Sequence, residues 1–194
     1  MMHRRRLALA ALLACAAPWV QAQSWPRQAV RIVVPAPAGS SLDLIVRAMS
    51  DKLGARWGQA VVVENKPGAG GMLGLDVAVK ATDGHTLAIA FNGPLAFAPF
   101  LYRKMPYDPA KDLAPVGVAW DLPNVAVVAA EKNPSRTLQE FITWAKAKRG
   151  GITYGSPGVG TTPHLSGALF CARTGIEGTH VPFRGAAQTV PAML

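Results

Sequence analysis

Apolar and polar positions along this chain switch between a period of two and a period of 3.6, and the switches mark out its elements. Residues 31–34, Arg-Ile-Val-Val, form a short β-rich run that Pro35 to Gly39 cannot extend as a ladder. From Ser40 onward Leu42, Ile45, Val46, Met49 and Leu53 recur at helical spacing. Ser40-Ser41 offers a cap, Asp43 sits in the first turn, and Gly54 lies near the end. The pattern predicts strand, tight loop, helix. A second strand is expected over 60–64, a glycine-rich loop over 65–71 and a short helix over 72–80. A third strand over 86–91 ends in Asn92-Gly93-Pro94, with a brief helix over 96–101 and a proline-rich surface excursion over 102–112. Residues 116–120 and 125–130 are expected as two more strands, either side of Asp121-Leu122-Pro123-Asn124.

The later part repeats the opening. Thr137 and Glu140 have the spacing of a capping box for a helix running to about residue 148, where Lys146, Lys148 and Arg149 suit the negative end of the helix dipole. Then come a strand over 152–154 and a glycine-rich loop over 155–160. Thr162 is expected as the N-cap of a second helix, with Pro163 at its first position. A strand over 179–183, the turn Arg184-Gly185 and a helix start complete the chain. Alternating strands and helices predict an α/β protein with parallel sheets. Each of the two strand–loop–helix units aims unpaired backbone N–H groups outward, and small carboxylates bind well between two such ends.

Residues 1–22 are of another kind. His3-Arg4-Arg5-Arg6 precedes an apolar stretch over 7–17, and Val20 and Ala22 supply the small residues of a cleavage site. This predicts a secretory signal peptide cut after Ala22. The alternative is a lipoprotein signal with Cys15 as the acylated residue. Cleavage leaves 17 basic and 11 acidic side chains, a charge of +6, which favours anionic ligands. The basic run near residue 148 has its explanation at a helix end, so no nucleic-acid partner is expected. Only Cys171 remains, so the mature chain has no internal disulfide.

Known chemical motifs are missing. The glycines over 68–71 fit neither the dinucleotide fingerprint nor a Walker loop, and the segment has the composition of an ordinary turn. Gly155-Ser156-Pro157-Gly158 is one residue short of G-x-S-x-G, and His3, His85, His164 and His180 show no metal-ligand spacing. No catalytic residue, metal or cofactor is expected. An esterase-like hydrolase is the remote alternative. Asp43 has two readings, as a helix-dipole partner or as a group that meets a ligand or orients loop donors.

The segments WPRQAVRIVVPAPAGSSLDLIVRAM, VVVENKPGAGGMLGLDVAVKATDGHTLAIA, LYRKMPYDPAKDLAPVG, ITYGSPGVGTTPHLSGALF and HVPFRGAAQTVPAML resemble the Bug-type extracytoplasmic solute receptors of tripartite tricarboxylate transporters. The resemblance runs from Trp25 to the last residue. It implies a two-lobed periplasmic binding protein of the Venus-flytrap kind, monomeric, that captures a small organic carboxylate and passes it to membrane transporter subunits. Two loops act as pincers in such proteins. Carried onto this sequence, Ala36, Ala38, Ser40, Ser41 and Asp43 line one side, and Ser156, Gly158, Gly160, Thr161, Thr162 and His164 the other, with Asn92 beside them. The chain departs from the family in having Ala36 where an aromatic is usual and Gly39-Ser40 where a glycine pair is usual. The chain is thus expected to divide into a signal peptide over 1–22, a first lobe over 23–123 and a second lobe over 124–194 that is incomplete relative to the family, with the lobe boundary at Asp121-Leu122-Pro123-Asn124. A non-binding fragment of such a receptor is the alternative.

Overall fold

A computed structural model describes residues 24–193, so the expected signal peptide and Cys15 lie outside the described residues. Strand β1 (Val30–Val34) leads through a loop to helix α1 (Ser41–Trp57) and strand β2 (Val61–Asn65). A 3-10 turn (Ala69–Gly71) opens helix α2 (Met72–Val79), and strand β3 (Thr86–Ala88) follows. A π-helical turn (Gly93–Phe97) runs into helix α3 (Ala98–Leu101). Further on come helix α4 (Leu138–Ala147), strand β4 (Ile152–Ser156), helix α5 (Thr162–Thr174), strand β5 (Gly178–Pro182) and helix α6 (Ala186–Met193).

Two parallel sheets result, ordered β2-β1-β3 and β4-β5. The first has its reversal of strand order beside β1, and ligands in open α/β sheets bind beyond the carboxyl ends at such a point. Val30, Val33 and Val34 are completely buried, as expected of a central parallel strand covered on both faces. Val30, Ile32 and Val34 pack with Val46, Leu42 and Leu53 of α1. Met72 and Leu75 of α2 pack with Ala98 and Tyr107. The second sheet has a smaller core, in which Ala145, Cys171 and Ile176 meet Phe141, Ile152 and Tyr154. Trp25 anchors the leading segment: its ring stacks on His85, meets Trp57 edge-on, and donates from Nε1 to the Gly84 carbonyl at 3.0 Å.

Four expectations need correction. Residues 116–120 and 125–130 belong to neither sheet. Val116, Val118 and Val125 are 88%, 87% and 78% exposed, because β propensity makes no strand unless a neighbour takes up the backbone N–H and C=O groups. The third strand stops at Ala88, with one more ladder bond from the Ile89 N–H to the Val33 carbonyl at 2.9 Å. Helical structure then starts at Gly93, three residues before the expected helix. The N-cap of α5 is Thr161, not Thr162, which places Pro163 at the second helical position.

Candidate ligand site at two facing loops

The first loop is built around a carboxylate that faces inward. Ser40 caps α1, its hydroxyl accepting from the Asp43 N–H at 3.3 Å. Asp43 is 1% exposed and fully engaged: one oxygen accepts from the Gly39 N–H at 2.8 Å, the other from Arg47 Nε and Asn65 Nδ2, each at 2.9 Å. The Arg47 guanidinium, opposed by burial and helped by the Gly39 N–H and the Asn65 amide, holds this carboxyl below the usual aspartate value. Asn65 also donates to the Ala36 carbonyl at 3.1 Å and accepts from Arg47 at 2.9 Å. Asp43 and Asn65 thereby fix the loop backbone from below. Ala36 packs against the first core, while Ala38 and Ser41 are exposed and Ser40 is half-buried.

The second loop is pinned from below as well. Ser156 is 1% exposed, and its hydroxyl lies 3.0 Å from the Gly158 carbonyl, 3.2 Å from the Gly158 N–H and 2.7 Å from His180 Nε2. Thr161 donates to the same Gly158 carbonyl at 2.7 Å, so this cap holds the loop rather than the first helical turn. The Gly160 N–H donates to His164 Nδ1 at 3.2 Å, and the His164 and His180 rings lie 4.0 Å apart. Burial, followed by the nearby His164, pushes the His180 imidazole below its ordinary value. Thr162 is half-buried at the head of α5.

The two loops belong to one interface. Pro37 of the first lies against Gly185, where an added Cβ would stand 3.2 Å from the proline ring. Val159 and Gly160 of the second lie against Gly70 and Gly93: a Cβ on Gly70 would meet the Val159 carbonyl at 2.6 Å, and one on Gly93 the Gly160 carbonyl at 3.0 Å. Gly70 has φ 63°, a backbone that only glycine takes without strain. All of these residues follow the carboxyl ends of strands, so the two sheets present their carboxyl ends to each other. Asn92 is exposed next to Gly93.

The site therefore contains the expected loops, together with four residues that the sequence analysis did not single out. Asn65 and His180 act through the loops, and Gly70 and Gly93 permit their approach. All four lie in or beside the segments that carry the family resemblance, yet periodicity says nothing of contacts made at such distance along the chain. Among the described residues no group of three or more His, Cys, Asp or Glu is placed to hold a metal ion. An open groove lined by Ser135, Gln139, Glu140, Thr143 and Trp144 shares no residue with either loop.

Two parallel α/β units with facing carboxyl ends define a periplasmic binding protein fold. Known proteins agree. Residues 45–194 match the model of the tripartite tricarboxylate transporter family receptor, and the chain belongs to that family. It is 38% identical over 191 residues to a protein encoded in the tcbD–tcbE intergenic region of Pseudomonas sp. strain P51, covering 96% of this chain and 56% of that one. BugT of Bordetella pertussis is 35% identical over 181 residues, covering 92% and 55%. Among solved structures, an R. palustris protein with adipate superposes with a TM-score of 0.82 at 34% identity, covering 87% of this chain and 56% of its own. MatC from Rhodopseudomonas palustris with bound malate gives a TM-score of 0.78 at 28% identity, covering 87% and 57%. The chain spans about half the length of the curated relatives it matches.

Proposed function

We propose that this chain takes part in capturing a small dicarboxylate in the periplasm, for delivery to the membrane subunits of a tripartite tricarboxylate-type transporter. The observation that carries the reading is that two βα loops, each leading into a helix of more than ten residues, lie along one interface at the facing ends of two parallel sheets. The backbone at Ser41 and Leu42 and at Val159 and Thr162 supplies N–H donors, and the two helix N-termini supply partial positive charge. Ala38, Ser40, Ser41 and Asn92 stand at one side and Gly158, Gly160, Thr161, Thr162 and His164 at the other. Residues 23–123 and 124–194 act as the two lobes, the protein works as a monomer, and no nucleic acid or cofactor takes part. Two structural neighbours were solved with adipate and with malate, which supports a ligand with two carboxylates.

Hydrolysis is the weaker reading. Ser156 and His180 are close enough for a nucleophile and base, but the serine is buried and its hydroxyl is engaged by both backbone groups of Gly158. Thermal unfolding of the purified chain with adipate, malate and monocarboxylates tests the proposal. A ligand that binds only the folded form adds about 2.7 kcal/mol at a hundredfold excess over its dissociation constant. The proposal expects a dicarboxylate to raise the midpoint. No shift with any carboxylate would contradict it.

A further inference from the structure

The Gly160 N–H belongs to the second loop but is already taken, by the imidazole of His164, a ring that accepts a hydrogen bond only when neutral. To accept that bond, His164 Nδ1 must carry a lone pair, so the ring is neutral with its proton on Nε2. An imidazolium has no lone pair. Protonation of His164 therefore breaks the bond and leaves the Gly160 N–H without its present acceptor.

We propose that His164 is a proton-operated positioning residue of the carboxylate site: neutral, it occupies the Gly160 N–H, and protonated, it surrenders that donor to the ligand and adds a positive charge beside it. This rests on the dicarboxylate reading above and deepens it, since ligand capture becomes linked to uptake of one proton. Two opposing effects accompany the proton. The neutral Gly160 bond is lost, but a hydrogen bond to a charged group is stronger than one between neutral groups, so the anion gains overall.

The surroundings disfavour a charge on His180. The two rings are 4.0 Å apart, too close for both to be charged. Burial, followed by the neighbouring ring, pushes His180 down, and its Nε2 lies 2.7 Å from the Ser156 hydroxyl. Among the described residues neither ring is hydrogen-bonded or ion-paired to a carboxylate; the polar partners are the Ser156 hydroxyl and the Gly160 N–H. From β4 there are Tyr154, its ring 5.1 Å from His180, and Ser156. Tyr102, after α3, approaches Gly160, and α6 contributes Thr189 and no ionisable residue.

The test separates this inference from the functional reading by starting without ligand. In a pH titration followed by 1H–15N NMR, the Gly160 amide should move with the inflection of the His164 ring nitrogens, and the same amide should be flat in His164→Gln. A wild-type Gly160 amide that ignores the His164 titration overturns the inference whatever the chain binds. Adipate and malate are then titrated at about pH 8 and about pH 6, where their carboxyl groups are largely ionised. Affinity should rise about tenfold at the lower pH, the equivalent of 1.4 kcal/mol, and this gain should vanish in His164→Gln. Equal affinity at both values overturns the link to capture. Absence of binding at either pH contradicts the dicarboxylate reading and the link together, while the ligand-free titration still decides the Gly160 switch.

Discussion

Asp43 shows how a side chain can serve a binding loop without touching what the loop holds. Its carboxylate is spent on Gly39, Arg47 and Asn65, so Asp43→Asn should leave donors unanswered and cost about 2–3 kcal/mol at neutral pH. The pH dependence has a definite sign. Because the folded carboxyl sits below its ordinary value, its contribution is complete above the ordinary aspartate range and fades as pH falls through the folded value. Urea midpoints should thus separate wild type from variant at pH 7 and converge in strong acid. Gly70 makes the complementary case. Gly70→Ala puts a methyl group against the Val159 carbonyl and strains a left-handed backbone at about 1–2 kcal/mol. It should also reduce any dicarboxylate-induced rise in thermal midpoint, and a rise equal to wild type would show that the contact is idle. The sequence made the position of Asp43 legible, since helix spacing put it in the first turn. It could not show that Asn65, after another strand, would reach back to the same oxygen.

At the level of elements, local signals were sufficient where the structure they predict is local. Ser40 caps α1 as its position implied, and Thr137 accepts from the Glu140 N–H at 3.2 Å. The reciprocal arm of that capping box shifts by one residue, with Glu140 accepting from the Arg136 N–H at 2.7 Å. Thr137→Ala should cost about 1 kcal/mol, read as a lower thermal midpoint. Leu75→Ala, which empties a fully buried position among Met72, Ala98 and Tyr107, should cost about 2–5 kcal/mol in the same measurement. Signals failed where an element depends on a partner distant in sequence. Residues 116–130 are rich in β-formers, but strand status is conferred by pairing, and among the described residues no strand of either sheet pairs with them. The 3-10 and π-helical turns were likewise out of reach, because they lie where the backbone at Gly71 and Gly93 packs closely on Phe91, a contact that no period encodes.

For the whole molecule, the α/β class and the parallel sheets followed from the order of elements, whereas the facing of the two sheets did not. That arrangement depends on bare backbone at Gly70, Gly93 and Gly185, where a side chain would keep the loops apart. The central claim is that these two loops together hold a carboxylate ligand. It is tested most directly by titrating the purified chain with adipate and with malate while following backbone amides by 1H–15N NMR. The account predicts that shifts concentrate at the amides of residues 38–43 and 158–164, saturating together with one affinity. Shifts confined to one loop, or centred on the groove beside Gln139 and Trp144, would contradict it.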